Sequence, residues 1–296
     1  MKFAMQIDYA GGFAESAAKV AEFEKAGLDI AWVAEAYGFD APTFMGYLAA
    51  KTESITIGAG ILPIYTRTPT LMAMTAASMD TLTGGRFILG LGASGPQVIE
   101  GFHGVKYDAP LGRTREVIDI CRLVWKRERV TYNGKYYTLP LPADQGTGLG
   151  KPLKMIAKPI REDIPVWIAS LGPKNVEMTA EIADGWLPIF YMPERAQDVW
   201  GADLAAGTAK RDPRHWFVPD SHFRVQSGTH YLTMVFISNG GLDFQIVFER
   251  QRKFCKRRIH ICLTQDRGVS YRAICVGIWI KAEGLASALQ PQRDTC

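Results

Sequence analysis

No stretch of about 18 consecutive apolar residues occurs in this sequence, so no transmembrane helix and no membrane partner are expected. Its five cysteines never form a C-x-x-C pair and its five histidines are scattered, so no metal site is expected. A G-x-S-x-G elbow is missing, which argues against Ser-His-Asp hydrolysis. A G-x-G-x-x-G after the first strand-like segment is also missing, which argues against a dinucleotide-binding Rossmann sheet. The opening residues 1–7 are too short, and too soon interrupted by Asp8, to read as a secretory signal, so a cytoplasmic protein is expected.

What is present is unevenly distributed. The 296 residues are 47% hydrophobic, enough for a large core in one or two domains. Residues 1–213 carry 22 Lys and Arg against 24 Asp and Glu, whereas residues 214–296 carry 12 against 6. The overall charge of +4 therefore belongs to the tail and is no nucleic-acid footprint for the whole chain. The tail also holds four of the five Cys and four of the five His, but only two of the 16 Pro. Its basic run 250–258 reads as a solvated charge run, and no nucleic-acid partner is expected.

Residues 1–213 alternate strand-like and helix-like patterns with short connections, the mark of βα repeats on a parallel sheet. Strands are expected at 2–7, 30–33, 55–62, 87–91, 166–169 and 185–189. Helices are expected at 13–26, 41–50, 69–82, 113–126, 173–183 and 193–209. Thr68 reads as the N-cap of the third helix, with Pro69 at its first position. A hairpin is expected at 130–139 around a tight Asn133-Gly134 turn, followed by a Pro- and Gly-rich loop, 139–165, over the barrel mouth. Six such units with a lid-like insertion at about 100–164 argue for an α/β fold, a (β/α)8 barrel. The tail shows strand-like stretches at 231–238, 244–248 and 274–280 and one short helical stretch, 283–289. It is expected to leave the barrel incomplete or irregular after residue 213, with the first and sixth strands as edges. A shift of reading frame near Pro213 would produce such a change of composition, and a diverged tail is the alternative.

The run Gly84-Gly85-Arg86-Phe87-Ile88-Leu89-Gly90-Leu91-Gly92-Ala93-Ser94-Gly95-Pro96 places a glycine-rich loop at the carboxyl end of a buried strand, where α/β folds bind ligands. With it go Ala31-Trp32-Val33-Ala34-Glu35-Ala36-Tyr37, Ile57-Gly58-Ala59-Gly60-Ile61-Leu62, Thr68-Pro69-Thr70 and Arg113-Thr114-Arg115-Glu116. Further on stand Ile164-Pro165-Val166-Trp167-Ile168-Ala169, Gly172-Pro173-Lys174-Asn175 and Ala183-Asp184-Gly185-Trp186-Leu187-Pro188. In this order the set resembles the bacterial-luciferase-like (β/α)8 TIM-barrel superfamily, in its coenzyme F420-dependent oxidoreductase branch, over residues 1–213.

The resemblance implies hydride transfer between the deazaflavin F420 and an organic substrate, with an FMN-dependent luciferase-like monooxygenase as the alternative. A vestigial, non-catalytic barrel remnant is the alternative of another class. It implies a non-prolyl cis peptide at Gly60–Ile61 against one face of the cofactor ring, and ring or chain contacts from Gly92, Ala93, Ser94 and Gly95. Ser170, Gly172 and Pro173 lead into a helix whose N-terminus suits the cofactor phosphate, with Lys174 as added charge, and Ile189 stands after the sixth strand. Glu35 and Tyr37 are the candidate catalytic residues: Glu35 for proton transfer or for capping and ion pairing, Tyr37 through its hydroxyl or by ring packing. Ala36, Gly95 and Met192 stand where the glucose-6-phosphate dehydrogenase branch carries His, an acid and Lys, so a sugar phosphate is not expected. Tyr37, Ile61, Trp186, Ile189 and Phe190 suggest a hydrophobic or planar small-molecule substrate. A family-like homodimer is the further expectation.

Overall fold

The computed structural model describes residues 4–7, 12–189, 191, 193–212 and 234–236. The basic run 250–258, the strand-like stretches 244–248 and 274–280, the helical stretch 283–289, Phe190 and Met192 lie outside them. Strands β1 (Ala4–Ile7), β2 (Ile30–Val33) and β3 (Thr56–Ala59) alternate with helices α1 (Phe13–Lys25) and α2 (Ala41–Ala49). Then come β4 (Leu62–Pro63), α3 (Pro69–Leu82), β5 (Phe87–Gly92), α4 (Pro96–Ile99) and α5 (Pro110–Trp125). The hairpin β6 (Tyr132–Asn133) and β7 (Thr138–Leu139) precedes β8 (Val166–Ile168), α6 (Pro173–Ile182), β9 (Gly185–Trp186), α7 (Pro193–Lys210) and β10 (Met234–Phe236). No helix among the described residues is long and apolar enough to cross a membrane.

The main sheet is parallel, ordered β10-β1-β2-β3-β5-β8-β9, with β4 also on β5. Side chains alternate between its two faces, as strand geometry requires. Met5, Ile7, Ala31, Val33, Phe87, Leu89, Val166 and Ile168 pack with the helices in the larger core cluster. Ala4, Ile30, Trp32, Ile88, Trp167 and Leu187 form a second cluster on the other face. Three steps of strand spacing separate β2 from β8, roughly 14 Å in a flat sheet, yet the Trp32 and Trp167 rings stand 5.1 Å apart. The sheet must therefore curl toward this second face, as a barrel wall does.

Local signals set most element ends. Thr68 caps α3 by accepting the Leu71 N–H (3.3 Å), and Asp40 caps α2 by accepting from Thr43 (2.9 Å). Three expectations are corrected. The third strand, expected unbroken over 55–62, is split into β3 and β4 at Gly60–Ile61, whose peptide bond is cis. Helix α5 starts at Pro110, three residues early, because Ala109 enters the left-handed region (φ 46°) and Pro110 supplies the first helical residue. The hairpin turns at Lys135 and Tyr136 rather than Asn133-Gly134: Asn133 pairs with Thr138, and Gly134 N–H donates to Tyr137 O (2.9 Å). The buried Glu116 carboxylate fixes that turn, accepting the N–H groups of Lys135 (2.7 Å), Tyr136 (3.0 Å) and Tyr137 (2.9 Å).

The insertion divides between the two ends of the sheet. Tyr107 donates its hydroxyl to Ser94 O (3.3 Å), and Tyr65 donates to Asp108 O (2.7 Å), so the segment before α5 lies at the carboxyl ends. The later loop runs elsewhere. Arg161 pairs with the buried Asp80 and donates to Phe87 O (2.8 Å), at the opposite end of β5. Arg127, just past α5, donates to Met155 O (3.1 Å) and Ile156 O (3.2 Å). That loop, expected over the mouth, thus packs under the amino ends of the strands. The first strand, expected as an open edge, is paired by β10, with Ala4 opposite Met234 and Gln6 opposite Phe236. Among the described residues nothing joins β9 to β10.

Candidate functional site

The site is built from the loops leaving β2, β3, β5, β8 and β9. Their backbones interlock: Gly60 N–H donates to Val33 O (2.7 Å), Glu35 N–H to Ile61 O (3.3 Å), Ile64 N–H to Gly92 O (3.0 Å) and Ala169 N–H to Leu91 O (2.8 Å). Gly92 lets Ile61 and Ala169 close over it. A Cβ on it would stand 2.9 Å from the Ile61 Cδ1 and 3.3 Å from the Ala169 Cβ. Three strand ends thus meet at an apolar floor of Ile61, Gly92 and Ala169, half open to the mouth. Beyond it Ser94 adopts a left-handed conformation (φ 58°), rare for a residue with a side chain, and the chain turns at Gly95 into α4.

Glu35 is held hard. Arg67 grips it with both guanidinium nitrogens, Nη1 on Oε1 and Nη2 on Oε2 (2.9 Å), and the Ala41 N–H donates to Oε2 (2.9 Å). The same Nη2 donates to Asp40 Oδ1 (2.8 Å), so one arginine ties the β2–α2 loop to the start of α3. Both partners of the Glu35–Arg67 pair are only 10% exposed. Burial acts to lower the Arg67 pKa, but the Glu35 hydrogen bond and the charges of Glu35 and Asp40 outweigh it and hold it above its ordinary value. Burial acts to raise Asp40, and the Thr43 donors together with Arg67 carry it below the usual value. Of the two roles open to Glu35, this geometry is the ion pair. To move a proton the carboxylate would first have to release Arg67.

Ser170 also has its hydroxyl engaged. Thr179 donates its one hydroxyl proton to Asn175 O (2.7 Å), so in the 2.8 Å Ser170–Thr179 contact Ser170 is the donor. The Trp186 indole donates to Ser170 O (2.9 Å), fixing the turn that starts α6. The N-terminus of α6 is bare. Gly172 is its N-cap, no side chain caps it, and a Cβ on Gly172 would meet nothing within 4 Å. The Asn175 and Val176 N–H groups are used by Gly172 O, but the Gly172 and Lys174 N–H groups find no acceptor among the described residues. Lys174 is exposed beside them. Tyr37 is 67% exposed, its ring 6.3 Å from that of Phe102, and Ile189 is 47% exposed.

The structure therefore brings Ile61, Gly92 and Ala169 together, with Glu35 behind Ile61 and Gly172, Pro173 and Lys174 at the next helix start. Sequence reading missed Arg67 and Phe102. Arg67 adjoins the Thr68-Pro69 helix start, but its partner lies 32 residues away and no local pattern marks the pair. Tyr107 was missed too; burial raises its pKa above the ordinary value, and its hydroxyl stays a donor to the Ser94 loop.

Comparison with known proteins gives this geometry a setting. A Mycobacterium tuberculosis (strain H37Rv) protein named as a putative coenzyme F420-dependent oxidoreductase is 49% identical over 199 residues, 66% of this chain and 57% of that one. The solved coenzyme F420-dependent tetrahydromethanopterin reductase of Methanopyrus kandleri has the same fold, with a TM-score of 0.62 at 22% identity, covering 71% of this chain and 61% of that one. The oxygenating constituent of 3,6-diketocamphane monooxygenase from Pseudomonas putida, solved with FMN, follows with a TM-score of 0.59 at 17% identity, covering 72% and 64%. The chain thus spans about three fifths of the length of these proteins. The model of the luciferase-like monooxygenase family matches residues 2–225, twelve past the composition boundary at 213. With that match over three quarters of its length, the chain belongs to the luciferase-like monooxygenase family.

Proposed function

We propose that this chain is an oxidoreductase that binds coenzyme F420 and acts on a hydrophobic or planar organic substrate. The observation that carries the reading is the open N-terminus of α6 beside the apolar floor. A flat ring needs a surface without protruding side chains, and Gly92 between Ile61 and Ala169 provides one, where an added Cβ would press on both neighbours. A phosphodiester needs N–H donors and positive charge, and the Gly172 and Lys174 N–H groups, without an acceptor among the described residues, the α6 dipole and the Lys174 ammonium supply both. The residues present therefore fit the group. When bound, the deazaflavin would supply hydride chemistry. The protein's part is to orient the ring on the floor, to anchor the phosphate at α6 and to exclude water with apolar groups at the mouth.

Two further facts support it. The name of the relative at 49% identity carries the same cofactor. Tyr37, Phe102, Leu171 and Ile189 are exposed apolar groups on the loops around the floor, which favours an apolar substrate over a sugar phosphate. Since the FMN-containing monooxygenase shares the fold, the fold does not select the cofactor. The test is titration of the purified chain with F420 and with FMN separately, followed by cofactor fluorescence. Preferential F420 binding is expected. Preferential FMN binding transfers the reading to the monooxygenase branch, and binding of neither marks a barrel without cofactor function.

Gly172→Leu sharpens the test. A Cβ at Gly172 is unopposed and its φ of −72° suits any residue, so only the N-cap preference of glycine is lost, about 1 kcal/mol. That lowers the melting point by only a few degrees in a domain of this size. Cofactor affinity should fall at least tenfold, because the side chain covers the Gly172 and Lys174 N–H groups. Equal loss of folding and binding would mean that Gly172 serves packing alone.

A further inference from the structure

Trp32 is, with Trp125, one of the two largest fully buried side chains among the described residues, and its indole Nε1 has no hydrogen-bond partner among them. Phenylalanine would escape that cost, so the N–H does not explain the residue. The ring does. It lies flat on β3, where a Cβ on Gly58 would stand 2.4 Å from its Cε3 and Cζ3, and one on Gly60 would stand 3.2 Å from the Trp32 Cβ. Gly58 in β3 is thus the position where the indole leaves no room for a Cβ, and Gly60, just past the strand, packs closely against the Trp32 Cβ. Trp167 packs against it at 5.1 Å, with its own ring filling the place of a Cβ on Gly185. Ile61 and Ala169, two of the three floor residues, rest on this inner cluster.

We propose that Trp32 is a positioning residue: its indole sets the height of the Gly60–Ile61 turn, and through it the floor that receives the cofactor ring. This rests on the functional reading above. Interiors pack at crystal density, so a ring that fills the space over Gly58 leaves β3 no freedom to sink or rise. A shift of a few tenths of an ångström at Gly60 passes directly to Ile61 and to its contact with Gly92. Trp32 touches no ligand itself. It acts through the backbone of β3.

The pair Trp32 and Gly58 supplies a test by rescue. Gly58→Ala forces the indole away, Trp32→Phe leaves a gap beneath the turn, and the double variant lets the new methyl fill the space that the smaller ring vacates. Each single variant should weaken F420 binding tenfold or more in a sample still folded by circular dichroism. The double variant should recover to within about threefold of the wild type, a coupling of the size seen between touching residues. A purely structural role predicts lower melting points with unchanged affinity in the folded fraction, and that result overturns the proposal. So does a double variant as weak as the worse single one. If Gly58→Ala does not fold, Trp32→Phe against Trp32→Leu gives the same decision: affinity must fall further with the smaller side chain, and equal affinities overturn it. A wild-type chain that binds neither F420 nor FMN overturns the parent reading and this one with it. Wild-type binding with indifferent variants overturns this one alone.

Discussion

Glu35 decides whether the mouth of the barrel is held together or does chemistry, and Arg67 is the lever. Removing one partner of a buried ion pair costs about 3–5 kcal/mol when the other charge is left uncompensated. Here the loss is smaller, since Glu35 keeps the Ala41 N–H and stays 10% exposed, and Asp40 is half exposed. Arg67→Ala should therefore cost about 2–3 kcal/mol, below that range. At about 2–4 °C per kcal/mol for a domain of this size, the melting point falls by about 4–12 °C. Glu35→Gln keeps an acceptor but turns an amide N–H toward the guanidinium, so it should also destabilise, by less than Arg67→Ala. In the cycle Glu35→Ala, Arg67→Ala and the double variant, the singles should overlap, with a coupling of about 1–3 kcal/mol. Calorimetry or urea unfolding measures this. Because Glu35 N–H also bonds Ile61 O, cofactor affinity should decline together with stability. A Glu35→Gln protein that melts with the wild type, binds F420 normally and has lost turnover would refute the ion-pair account and make Glu35 a proton carrier.

Two other outcomes follow from carboxylates outside the site. Glu116→Ala removes the acceptor of three backbone N–H groups from the hairpin turn, and should destabilise by about 1–3 kcal/mol, read as a lower urea midpoint, with hydrogen exchange accelerated at residues 135–137. For Glu24, burial acts to raise the pKa, but N–H donors from Ser54, Ile55 and Glu53 and the Ser54 hydroxyl hold it below its ordinary value of 4.5. Its unfolded form then binds protons more readily, so the stabilisation is complete above pH 4.5 and is lost as pH falls through the lower folded value. Urea midpoints from pH 6 to pH 3 should fall more steeply for the wild type than for Glu24→Gln, and parallel curves would remove Glu24 from the account.

What the sequence made legible was whatever is settled locally. Thr68-Pro69 starts a helix through a cap and a fixed φ within four residues, and Pro173 after Gly172 does so through its fixed φ alone, so both starts were read to the residue. Strand β2 is readable because every residue of Ile30-Ala31-Trp32-Val33 is buried on one face or the other. The illegible parts depend on distant partners. The Asn133-Gly134 pair reads as a turn until Glu116, on another element, gathers three N–H groups one step further on. Nothing near residues 150–161 tells that Arg161 will reach Asp80, 81 positions earlier, and draw the loop away from the mouth. In the site, Gly60–Ile61, the Gly92 loop and the α6 start were readable as a family pattern. The fastening of Glu35 by Arg67 was not, because an ion pair across 32 residues leaves no periodic trace.

The composition break at residue 213 bears unequally on the two halves of the site. The floor stands on β3, β5 and β8, and each has a paired strand on both sides: β3 lies between β2 and β5, β5 between β3 with β4 and β8, and β8 between β5 and β9. Their backbone groups are already satisfied, and the inner cluster of Trp32, Trp167 and Ile88 fills the space behind them. Among the described residues, no strand of the floor is paired with the chain beyond α7. The wall carrying Trp186 and Ile189 belongs to β9, which has β8 on one side and no partner on the other among the described residues. The family match past residue 213 and the seating of β10 on β1 extend the sheet on its opposite edge, away from that wall. Cofactor binding and substrate selection should therefore respond differently to changes after residue 213. On the proposed function, the first rests on strands paired on both sides, and the second on β9, whose outer edge has no partner among the described residues.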